Sequence, residues 1–141
     1  MHADARQVPI PIAKADDTLQ VVWGWASVVE EAGRPIIDLQ GDVIEPGELM
    51  KAAHEFVSSS RTGGYMHAKA EDGTAIQVGE VVESIVFTQD LQKALGIDLG
   101  RVGWFIGMHV PDAEIWKQVR AGKMGAFSIG ARGVRTAAEI D

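Results

Sequence analysis

The stretch "AIQVGEVVESIVF", residues 75–87, decides the fold. It is rich in β-branched residues, contains no proline, and follows the turn-forming "EDGT" of residues 71–74. Composition of this kind predicts a strand, and its length predicts a strand long enough to organise a sheet. Working toward the N-terminus, "GYMHAKAEDG" (64–73) reads as loop. Before it, a helix opens at Pro46, a residue suited to the first helical position. Leu49, Ala52, Ala53, Phe56 and Val57 recur there at i, i+3, i+4, i+7 and i+8, which predicts one apolar stripe. "SSSRTGG" (58–64) reads as the polar, glycine-closed end of that helix. Earlier still, "LQVVWGWASVVE" (19–30) reads as a strand, with Gly24 marking a bulge or close approach. "RPIID" (34–38) reads as a short second strand.

Toward the C-terminus, "TQDLQKALGIDLG" (88–100) reads as a short helix and "RVGWFIGMHV" (101–110) as a strand. "PDAEIWKQVRAG" (111–122) reads as a helix with Asp112 as N-cap, Gly122 as stop, and Ile115, Trp116 and Val119 as its buried face. "GAFSIGARGV" (125–134) reads as the last strand, with Ser128 on the same face as Ala126 and Gly130. The order predicts an α+β domain: a small bent antiparallel or mixed sheet, or a barrel, flanked by about three short helices. A doubly wound parallel sheet fits less well, because the strands are interrupted by glycine. The expected organisation is an N-terminal arm over 1–18, read as a leader arm or an edge segment, the domain over 19–135 and a tail over 136–141.

The chain has 141 residues, enough to bury a core, and 46% of them are hydrophobic. Acidic residues outnumber basic ones by 20 to 13, giving a formal charge of -7. That argues against a general nucleic-acid or anionic-membrane binder. There is no cysteine, so disulfides, thiolate zinc sites and cysteine nucleophiles are excluded. No apolar run approaches the roughly 18 residues that a membrane span needs.

Several residues are candidates for chemistry. His67 could act as a general base near neutral pH; alone, it reads first as a surface loop histidine. Ser128, beside very small neighbours, could be a nucleophile that a substrate backbone can approach; alone, it reads first as a small core serine. Glu80 and Glu83 lie in the apolar company of residues 75–87, where a carboxylate must be paired, bonded or turned to water. Either could orient an imidazole, or could be a protective charge on an edge strand. His109 alternates with Phe105 and Gly107 and reads as a structural histidine or a second histidine near the site. His54 falls toward the polar side of the first helix. Asp38, Asp42 and Glu45 could suggest a cation site, but without the spacing of a known metal motif they read first as a turn and a helix start. No cofactor is implied.

In order, "VVWGWASV", "DLQGDVIEPGEL", "GGYMH", "VGEVVESIVFT", "ALGIDLGRVGWFIGMHV", "EIWKQVRAG" and "MGAFSIGAR" resemble the XkdF-like serine proteases of tailed phages and prophages. These belong with the phage prohead maturation proteases and are similar to the herpesvirus assemblins. The resemblance spans roughly residues 19 to 135. It implies a small β-barrel or strongly bent sheet with helices around it, a nucleophilic serine at Ser128 and a histidine base at His67. It implies cleavage of phage scaffold and major capsid proteins within the assembling prohead, in the bacterial host cytoplasm, with homodimers known among assemblin relatives. In the wider group a third member, an acid or second histidine, comes well after the serine. Here only 13 residues follow Ser128. The third role would then fall to Glu83 or Glu80, to Glu139 or Asp141, or to nothing. Backbone N–H groups near Gly130 to Arg132 are the candidate oxyanion hole. The rival expectations are a non-catalytic structural or interaction domain on the same fold, and a metal-dependent hydrolase built on the acids around Asp42.

Overall fold

The computed structural model describes residues 12–37, 41–60, 65–69, 75–121 and 127–129. Its strands are β1 (Lys14–Asp16), β2 (Val21–Glu31), β3 (Arg34–Pro35), β4 (Tyr65–Lys69), β5 (Ala75–Phe87), β6 (Arg101–His109) and β7 (Phe127–Ile129). Its helices are α1 (Pro46–Ser60), α2 (Gln89–Leu95) and α3 (Ala113–Arg120). The strands form one sheet in the order β1-β2-β6-β5-β4-β7, with β3 paired to β2. Every pairing is antiparallel. Among the described strands the sheet is open, not a closed barrel.

The central strand β6 shows why the sheet has two unlike faces. Val102, Trp104, Ile106 and Met108 alternate into the core, each 2% exposed or less, and Val110 follows them. Alternation along a strand puts these residues on one side. Leu49, Ala53 and Phe56 of α1 and Trp116 and Val119 of α3 complete that core. Phe56 meets Trp104 edge to face, with ring centroids 5.4 Å apart, a favoured aromatic geometry. The Trp104 indole N–H donates to Ser84 Oγ at 2.8 Å, so the buried ring leaves no unpaired donor. On the other face Trp25 packs half-buried against Phe105 and Phe87, with centroids 5.1 and 6.0 Å away.

The helix ends follow from local chemistry. The Thr88 side chain accepts from Leu91 N–H to cap α2, and Gly96 closes it at φ 72° in the left-handed region. Asp112 caps α3 by accepting from Ile115 N–H, as the sequence predicts. Before α1, the Glu48 carboxylate accepts the backbone N–H of Glu45, half of a capping box. Buried Gln92 fixes the link from α2 to β6: it donates to the carbonyls of Phe87 and Arg101 and accepts from Leu99 N–H.

Some expectations change. α1 runs on through Ser60, past the predicted polar ending, and Val57 is 42% exposed instead of joining the apolar stripe. The segment around His67 is strand β4, not loop, because β5 and β7 pair with it from both sides. The short strand at 34–38 is a two-residue pairing. Gly24 lies opposite Ile106 in regular register; the irregularities of β2 fall later, between Trp25 and Ser27 and between Val28 and Glu30. Part of the expected N-terminal arm is the edge strand β1. Gly122, Asp38 and the C-terminal tail lie outside the described residues, as does most of the predicted last strand.

Candidate active site

His67 and Ser128 are paired residues. β4 and β7 run antiparallel, with Met66 opposite Ile129, His67 opposite Ser128 and Ala68 opposite Phe127. Opposite positions in such a ladder share a face, with Cβ atoms roughly 4.5–5.5 Å apart. The topology thus brings together two residues that are 61 positions apart in the chain. On the other side of β4, β5 pairs Tyr65 with Glu80, Met66 with Gly79 and His67 with Gln77. A register shift between Met66 and His67 leaves Val78 without an opposite residue. The row across three adjacent strands is therefore Ser128, His67, Gln77.

The two glutamates differ in what surrounds them. β4 covers β5 only as far as Glu80, so Glu80 is paired on both sides, whereas Glu83 lies where, among the described residues, β5 pairs with β6 alone. Both are exposed because they lie on the face opposite the helical core. Glu83 is opposite Gly107, and its Oε1 accepts the Trp23 indole N–H at 2.5 Å. Gly107 permits this: a Cβ there would lie 2.7 Å from both Glu83 Oε1 and Trp23 Nε1. The carboxylate thus reaches across β6 toward β2, away from β4. Glu80 lies opposite His109 on one side and Tyr65 on the other. It is on the face of the His67 position, but one alternate position along the strand.

Lys14 Nζ sits 5.1 Å from the centre of the Trp23 ring, which holds the indole between a cation and an acid. His109 shares the face of Phe105 and Gly107, as alternation predicts. His54 is exposed on α1. Glu45 serves the start of α1. Among the described residues no three His, Asp or Glu side chains come together in a way that could hold a metal ion. Gly130 and Arg132, the candidate oxyanion positions, lie outside the described residues, as do Glu139 and Asp141. Gln77 and Trp23 are the residues that sequence reasoning did not single out. Neither has a sequence signal for its position, which depends on pairing between distant strands.

Among the described residues no helix is long and apolar enough to cross a membrane. No solved structure matches the chain. A curated relative from Bacillus subtilis (strain 168), "Uncharacterized protein YqbD", is 30% identical over 118 residues, which is 84% of this chain and 33% of the relative. The chain thus spans about a third of the length of that relative. The family model described as "Putative phage serine protease XkdF" matches residues 7–137, which include β1 through β7 and with them both His67 and Ser128. A match over nearly the whole chain places it: this protein belongs to the family described as "Putative phage serine protease XkdF".

Proposed function

We propose that this protein is a serine endopeptidase of the phage prohead maturation type, with Ser128 as nucleophile and His67 as general base. The observation that carries the reading is the pairing of His67 with Ser128 on adjacent strands, in a chain of this family. Serine is a weak nucleophile until a base removes its proton, so the two must be neighbours. The span between opposite positions of a ladder is one that a hydroxymethyl group and an imidazole can bridge by a hydrogen bond.

The chemistry is acyl transfer. Ser128 Oγ adds to the scissile peptide carbonyl as its proton passes to His67. The tetrahedral intermediate then collapses, the C–N bond breaks, and the imidazolium of His67 protonates the leaving amine. Water next attacks the acyl ester, giving its proton to His67, and Ser128 leaves with a proton returned from the imidazolium. Backbone N–H groups near Gly130 to Arg132 are proposed to hold the oxyanion.

The proposed substrates are phage scaffold and major capsid proteins, cut within the assembling prohead, and the proposed assembly is a homodimer; the family supports phage proteins as substrates in general. The test is co-expression with a phage scaffold protein. Ser128→Ala and His67→Ala should each abolish its cleavage. Cleavage that persists in both variants overturns the assignment.

A further inference from the structure

We infer that Gln77 is the positioning residue for the His67 imidazole, because β4 pairs His67 with Ser128 on one side and, through a bulge, with Gln77 on the other. This rests on the proposed Ser–His reading and supplies its third member.

The bulge is the decisive feature. β5 and β4 pair Gly79 with Met66, so an unbroken register would next set Val78 opposite His67. A valine has no polar atom to offer an imidazole. The register shift skips Val78 and sets Gln77 there instead. Bulges recur beside active sites because they change which residue occupies a given position on a face. Here the change exchanges an aliphatic residue for a carboxamide.

The two glutamates fit the role less well. Glu83 is engaged by Trp23 on the far side of β6. Glu80 is opposite Tyr65, not His67. A base that takes a proton from a serine works faster when its second ring nitrogen is held by an acceptor, which fixes tautomer and ring orientation. The carbonyl oxygen of a carboxamide is such an acceptor, and an amide in this role is known chemistry in Cys-His-Asn sites. Unlike a carboxylate, it orients the ring without adding charge to stabilise the imidazolium.

The experiment uses the intact chain and two readouts: the rate of fluorophosphonate labelling of Ser128, and the pH titration of the His67 ring followed by NMR. Gln77→Ala removes the acceptor and should slow labelling on the order of 10–100-fold, the scale of losses from misorientation. Gln77→Glu keeps an acceptor, so labelling should persist, and its negative charge should move the His67 titration to higher pH. By register, the other titratable positions on this face near His67 are Tyr65 and Lys69 on β4 and Glu80 on β5. They are the same in every variant, so a difference between variants reports residue 77. Labelling of Gln77→Ala at the wild-type rate, or an unmoved His67 titration in Gln77→Glu, overturns the inference. Absence of Ser128 labelling in the wild type would count against the nucleophile assignment instead, and the His67 titration would still decide whether Gln77 faces that ring.

Discussion

Trp23 on β2 donates its indole N–H to the Glu83 carboxylate on β5, across Gly107 of the intervening β6. Three strands are tied on one face by a bond that only glycine at position 107 leaves room for. Gly107→Ala should therefore break it and lower stability by about 1–3 kcal/mol, the usual cost of losing a hydrogen bond to a charged group. Trp23→Phe should cost a similar amount. The double variant should lose clearly less than the sum, because both changes remove one interaction. Denaturant unfolding of the three variants checks this; additive losses would contradict it.

Gly79 stands next to the β4–β5 bulge, and a Cβ there would fall on the carbonyl oxygen of His109 in β6. That atom is backbone within the sheet and cannot turn aside as a flexible side chain would. Gly79→Ala should destabilise the protein by more than about 3 kcal/mol, in the range reserved for core overpacking and broken ladders. Thermal unfolding measures it. A midpoint within a degree or two of wild type would show that the sheet yields more easily than this packing implies.

Gln92 is 3% exposed and makes three side-chain bonds to backbone groups that have few alternatives. Gln92→Ala should cost about 2–4 kcal/mol, since each net bond is worth about 1 kcal/mol and stranded partners add to the loss. Amide hydrogen exchange at Leu99 should quicken together with the fall in stability. Unchanged exchange there would contradict the role assigned to Gln92.

The inner face of α1 is defined by Phe56, 2% exposed, and its edge by Val57, 42% exposed. Phe56→Ala should cost about 3–5 kcal/mol through the cavity it leaves against Trp104. Val57→Ala should fall within about 0.5 kcal/mol of wild type. Comparable losses at both positions would mean that α1 sits rotated from the orientation described.

Much of this architecture is legible from local pattern. β5 matches its predicted bounds, and the cap at Asp112 follows from a side chain that bonds its own backbone a few residues on. The stripe on α1 is correct except for Val57, which lies at the margin of a helical face where periodicity alone cannot separate buried from exposed. β4 is not legible, because "YMHAK" is short, polar at alternate positions and stabilised by partners on both sides that the chain reaches only later. The candidate site is legible only as far as residue types: a histidine and a serine can be singled out, but their pairing is a property of register. Gln77 is further from view, since its position opposite His67 depends on a bulge between two strands. Trp23 and Glu83 are 60 residues apart and meet only because a glycine intervenes.

The central claim is that Ser128 is a nucleophile activated by His67, its pairing partner. Treatment of the folded chain with a fluorophosphonate, followed by peptide mapping by mass spectrometry, tests it most directly. The account predicts a single adduct on Ser128, absent in Ser128→Ala and slowed on the order of 10³-fold or more in His67→Ala, as for loss of the base in a serine protease. A folded wild-type protein that takes no adduct on Ser128, or one that is labelled there equally fast without His67, would contradict it.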